Sequence, residues 1–120
     1  MSYLVKDYGR ADGVHVVQID GAFDMHAAPL VKETFTRVMG EGNRRLVVDL
    51  CQATFIDSTA IGVLIGVMKK LRRGTSGALS VACTNLNVIA TFEMAGLDGA
   101  LPIRLSIDDA VTAQEFATAG

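Results

Sequence analysis

Asp57-Ser58-Thr59 sets a carboxylate directly before two hydroxyls, at the point where a helical apolar pattern begins. An aspartate in that position is a good helix N-cap, because its side chain can accept from the unpaired amides of the first turn. Ser58 then falls at the first helical position, near the rim of a sheet. A phosphate on its hydroxyl would meet the positive end of the helix dipole, which stabilises it, and the Asp57 carboxylate, which repels it. Either way the surface would gain about −1.5 to −2 charge and three strong acceptors. From the residues alone two readings stay open: the triplet is a helix cap and nothing more, or it is also a site of modification.

Other chemistry-bearing residues are isolated. His26 follows Asp24 by two positions, near the same rim, and reads as a polar loop residue. His15 lies in a strand, packed or edge-exposed, with no partner evident for catalysis. Asp108-Asp109 reads as a helix start rather than a metal pair. Cys51 and Cys83 close or follow apolar runs, where a free cysteine acts as a small hydrophobe. Neither a CxxC nor a Cys/His ligand spacing occurs, so no zinc site is expected. Gly62 and Gly66 are expected to let a helix pack closely on the sheet, since no phosphate-loop or dinucleotide pattern surrounds them. With no nucleophile–base set by spacing, the expectation is a protein that is not an enzyme, with no cofactor and no metal.

The elements that must position Ser58 follow from periodicity. Apolar or β-branched runs at 14–19, 45–50, 78–83 and 103–105 predict strands, and Asp20-Gly21 reads as a turn after the first. The opening segment 3–5 is expected to pair with it through a turn at 11–13. Helical spacing predicts helices over 27–39, 58–73, 86–95 and from 106 towards 116. Pro29 marks a first turn. Gly40, Gly42 and Gly74 end helices, and Gly96-Leu97 has the form of a glycine C-cap. Ser106 and Asp109 form a capping pattern. Between Cys51 and Asp57 a short loop is expected. The first half of the second helix is apolar nearly all round, because Ala60, Val63 and Val67 lie outside the Ile61-Leu64-Ile65-Met68 stripe. Such a helix is either deeply sandwiched or shows an apolar face to a partner.

Strands alternating with helices give an α/β fold with a mixed, mostly parallel sheet and about four helices. At 120 residues the chain suits one domain, 1–120. Half of it is apolar and its net charge is −2, which excludes a disordered chain and a basic nucleic-acid footprint. The N-terminus is too polar for a signal peptide, and the longest apolar run, 60–68, is far short of a bilayer span. A cytoplasmic location without direct membrane insertion is expected.

Three segments carry a family resemblance. Phe55-Ile56-Asp57-Ser58-Thr59-Ala60-Ile61-Gly62 resembles the signature of bacterial anti-sigma factor antagonists, which are STAS domains: two apolar residues, Asp-Ser, Ser or Thr, Gly, an apolar residue and Gly. Gly21-Ala22-Phe23-Asp24 is similar to the Gly-x-apolar-Asp after that family's second strand. Phe92-Glu93-Met94-Ala95-Gly96-Leu97 is similar to its third-helix ending. The resemblance implies a STAS-like domain that binds an anti-sigma factor serine kinase and so frees a sigma factor. It implies phosphorylation on Ser58 by that kinase, release on phosphorylation, and resetting by a phosphatase. Asp24, Asp57 and Thr59 would lie with Ser58 at or near the partner interface. The family glycine after the hydroxyl pair is Ala60 here, and a methyl at that interface is expected to hinder close approach of the kinase. A non-switching STAS subunit of a membrane transport assembly, such as a lipid-transport ATPase partner, is the alternative.

Overall fold

Runs of β-branched residues build the centre of the sheet, and the chain alternates between them and amphipathic helices. The computed structural model describes residues 2–73, 77–97 and 99–119. In order these form β1 (Tyr3–Gly9), β2 (His15–Phe23), α1 (Ala28–Gly40), β3 (Arg45–Asp49) and β4 (Ala53–Ile56). There follow α2 (Ser58–Arg72), β5 (Ala78–Ala82), α3 (Leu86–Met94), β6 (Ile103–Arg104) and α4 (Ile107–Ala119). The α/β class and the mixed, mostly parallel sheet are as expected. β1 pairs antiparallel with β2 through the predicted hairpin, and the other pairings are parallel.

Side chains alternate between two cores, as a pleated strand requires. On β3, Leu46 and Val48 join the larger core with Val31, Phe35 and Val38 of α1, Leu64 and Leu71 of α2, and Phe92 of α3. Val47 points the other way, into a smaller cluster with Val14, Val16, and Ala110 and Val111 of α4. Helices therefore cover both faces, which is why these strands read as continuous apolar runs. A buried polar bridge secures α4: Gln114 donates to the Leu46 carbonyl and to Ser80 Oγ, and Ser80 Oγ donates to the Ala110 carbonyl.

Two expectations about the strands need correction, and one cause explains both. Asp20-Gly21 is not a turn, because β2 runs on to Phe23. The segment after Cys51 is not all loop either, because Ala53–Ile56 is a strand on the extended part of β2. β3 and β4 thus follow one another along the same edge of β2, with a register shift between Gly21 and Ala22. Gly21 sits at φ +81°, and a Cβ there would lie 2.4 Å from the Ser2 carbonyl oxygen. Only glycine fits such a bulge without strain.

The helix ends behave largely as read. Pro29 falls in the first turn of α1. Gly96 at φ +73° closes α3: its amide donates to Glu93 O and that of Leu97 to Phe92 O, the paired bonds of a Schellman cap. Ser106 Oγ accepts from the Asp109 amide at 3.1 Å. The expected stop at Gly74 lies outside the described residues.

Candidate functional site

β2 and β4 run parallel with Phe23 opposite Ile56. The residues that follow, Asp24 and Asp57, therefore emerge side by side at the carboxyl edge of the sheet. This edge is where α/β sheets present their functional loops. Each aspartate organises the start of a helix. Asp57 Oδ1 accepts from the Ala60 amide at 2.9 Å and caps α2. Its Oδ2 accepts from the Met25 amide at 3.1 Å, in the loop leading to α1. Asp24 Oδ1 accepts from the His26 and Ala27 amides at 2.9 and 3.2 Å.

Exposure separates the four expected residues into two roles. Asp24 is only 8% exposed, so it holds the loop rather than offering a surface. Burial pushes its carboxyl up, but the Ala27 and His26 amides outweigh burial and keep it below the ordinary 3.8. Asp57 is half-buried, while Ser58 and Thr59 are exposed on the first turn of α2. Ser58 is thus an exposed residue beside the half-buried Asp57 at the carboxyl edge of the sheet. Two exposed apolar side chains lie close in the chain to these aspartates: Met25 at 63%, whose amide Asp57 accepts, and Phe55 at 46%, the first residue of the signature segment. Met25, which the motifs leave out, was readable as a large apolar residue directly after Asp24.

Two further expectations change. Ala60 is fully buried in the main core, so its methyl lies inside the protein and not on the surface beside Ser58. Gly62 and Gly66 do not pack on the sheet, since a Cβ built on either meets nothing within 4 Å. They face outwards with Val63 along a groove between α1 and α2. Of the apolar residues left outside the stripe, Ala60 and Val67 are therefore core and Val63 is half-buried at the groove. His15 makes a structural contact: its Nε2 lies 2.7 Å from Asp7 Oδ1, and Arg37 of α1 donates to the other carboxylate oxygen. The hairpin register made this legible, because Asp7 opposes Val17 and so sits diagonally from His15.

Cys51 and Cys83 are free thiols. Burial pushes the Cys51 thiol up to about 12, aided by its hydrogen bond with Asp49. Among the described residues no cluster of His, Cys, Asp or Glu could hold a metal, and no helix is long and apolar enough to cross a membrane.

Known proteins resemble this chain in sequence and in fold. The anti-sigma-B factor antagonist of Staphylococcus aureus is 27% identical over 86 residues, spanning 72% of this chain and 79% of its own. That of Listeria monocytogenes is 29% identical over 86 residues, spanning 72% and 75%. The crystal structure of an anti-sigma factor antagonist from Mycobacterium paratuberculosis superposes with a TM-score of 0.86, at 27% identity and 95% coverage of both chains. A model of the STAS domain matches residues 6–110. The chain therefore belongs to the STAS domain family, and the relatives it resembles are anti-sigma factor antagonists.

Proposed function

We propose that this protein is an anti-sigma factor antagonist that acts by binding rather than catalysis, and that phosphorylation of Ser58 switches its binding off. Its partner is an anti-sigma factor serine kinase in the cytoplasm; a phosphatase resets the switch. The observation that carries this reading is the exposed Ser58 hydroxyl at the start of α2, on a rim fixed by Asp57 and Asp24. Unmodified, the rim offers Met25, Phe55 and Thr59 to a partner around that hydroxyl. Phosphorylated, it adds about −1.5 to −2 charge beside two existing carboxylates. A partner docking there then meets repulsion and must desolvate a dianion. Asp24 contributes by holding the loop, whereas Ser58 and Thr59 make contact.

Nothing specific favours the transport-subunit alternative. That alternative draws slightly on Ala60 in place of the family glycine, and Ala60 is buried away from the rim. Intact mass after incubation with ATP and each candidate anti-sigma kinase of the same genome tests the proposal. One phosphate is expected on the wild type and none on Ser58→Ala. A phosphate that persists in Ser58→Ala and vanishes in Thr59→Ala moves the acceptor by one residue and overturns the assignment. No phosphate with any kinase overturns the switch.

A further inference from the structure

Helices α1 and α2 leave an apolar groove between them. Each carries the chain from the carboxyl edge of the sheet back to its amino edge, so the two run side by side in the same direction. The groove encloses about 460 Å³ between Phe35 and Met39 on one wall and Val63 and Val67 on the other. Among the described residues, the ionisable side chains that line it are Lys32, towards the Ser58 end, and Lys70, at the opposite end. Neither forms an ion pair with another described residue.

Gly62 and Gly66 add a second argument. A glycine inside a helix is a poorer choice than alanine and calls for a reason. Neither has a positive φ, and neither has a neighbour that a methyl would strike. Packing within the chain does not require them. Their effect is to keep the groove open to the close approach of something from outside.

We propose that this groove docks an amphipathic helix of a partner protein, apolar on the face it presents and acidic at both ends of that face. The α2 wall from Thr59 to Lys70 measures about 16 Å, roughly three helical turns. Helix-in-groove recognition needs apolar anchors at that spacing. Cations at both ends of an apolar trough select an acidic helix over a basic one, although the chain as a whole carries a net charge of −2. The site requires no phosphate on Ser58 and stands whether or not the switch does.

A displayed library of helical peptides of about 15 residues, with a fixed leucine face and randomised ends, is selected on the wild type, and the enriched helices are then titrated against Gly66→Leu. The leucine enters open space, so it fills the groove without disturbing the fold, which circular dichroism checks. Lys32→Glu/Lys70→Glu is the second variant and reverses only surface charge. The expected outcome is enrichment of helices with Asp or Glu at both ends, whose affinity drops about tenfold or more on each variant. Amide shifts on binding should map to α1 and α2. Enriched helices without acidic ends, or binding unchanged by Gly66→Leu, would overturn the proposal. So would dodecanoate occupying the groove more tightly than any selected helix. Self-association abolished by Gly66→Leu would overturn it too, by making a second copy of this chain the occupant.

Discussion

Asp57 accepts the amide of Met25 at 3.1 Å, across 32 residues of sequence, and so fastens the start of α2 to the loop before α1. The same carboxylate caps its own helix through Ala60. One side chain therefore makes the surface around Ser58 a single preformed unit. The start of α2 and the loop before α1 are thereby held together beside Ser58.

Asp57→Ala should cost about 1–2 kcal/mol of stability, the usual scale for a lost cap with a second amide left unpaired. Asp57→Asn keeps acceptor oxygen and should lose less. Urea denaturation measures both; equal stability of Asp57→Ala and wild type would mean the Met25 and Ala60 amides find other partners.

Two glycines should respond to alanine with opposite signs. At Gly21 a methyl would lie 2.4 Å from the Ser2 carbonyl oxygen at φ +81°, so Gly21→Ala should destabilise by about 1–3 kcal/mol. At Gly62 a methyl meets nothing within 4 Å in an ordinary helix, so Gly62→Ala should stabilise by up to about 1 kcal/mol. Thermal melts of the two variants test the bulge and the open groove together.

Asp7 joins β1 to β2 through His15 and to α1 through Arg37. The hydrogen bond from His15 lowers its carboxyl most, burial opposes this, and Arg37 lowers it further, leaving it below the ordinary 3.8. A carboxyl lowered on folding contributes stability above its unfolded value and loses it as pH falls through the folded one. Stability should therefore fall as pH drops below 3.8, and less steeply in Asp7→Asn. Parallel pH profiles for the two proteins would remove Asp7 from the account.

Cys51, with its thiol pushed up to about 12, should alkylate far more slowly at pH 8 than a free thiol, because the thiolate is the nucleophile. Iodoacetamide labelling followed by peptide mapping gives the rate. Labelling as fast as that of an unfolded control would place Cys51 in a more open setting.

Much of this was legible in the chain because local and global preferences agree. The Asp57 cap, the apolar stripe of α2 and the strand runs at 45–49 and 78–82 need only short-range pattern. β4 was not legible, because Ala53–Ile56 is four residues long and becomes a strand only by pairing with β2. That pairing requires β2 to continue past Gly21, where Asp-Gly imitates a turn. The burial of Ala60 could have been read from helical phase: Ala60, Leu64, Val67 and Leu71 share one stripe, and all are buried. Gly62 and Gly66 lie off it, which is why they face the groove and not the sheet. Asn85, which accepts from the Asn87 and Val88 amides and caps α3, was likewise readable as an Asn before an apolar run.

The proposed switch requires that charge at Ser58 govern partner affinity, and calorimetry measures that directly. The cognate anti-sigma kinase is titrated with the unmodified protein, with Ser58→Ala and with protein phosphorylated to one phosphate on Ser58. Ser58→Ala removes little contact area and should bind as the wild type does. The phosphorylated protein should bind about 5–150-fold more weakly, the range of a coupling of about 1–3 kcal/mol. Equal affinity of the phosphorylated and unmodified proteins would contradict the account.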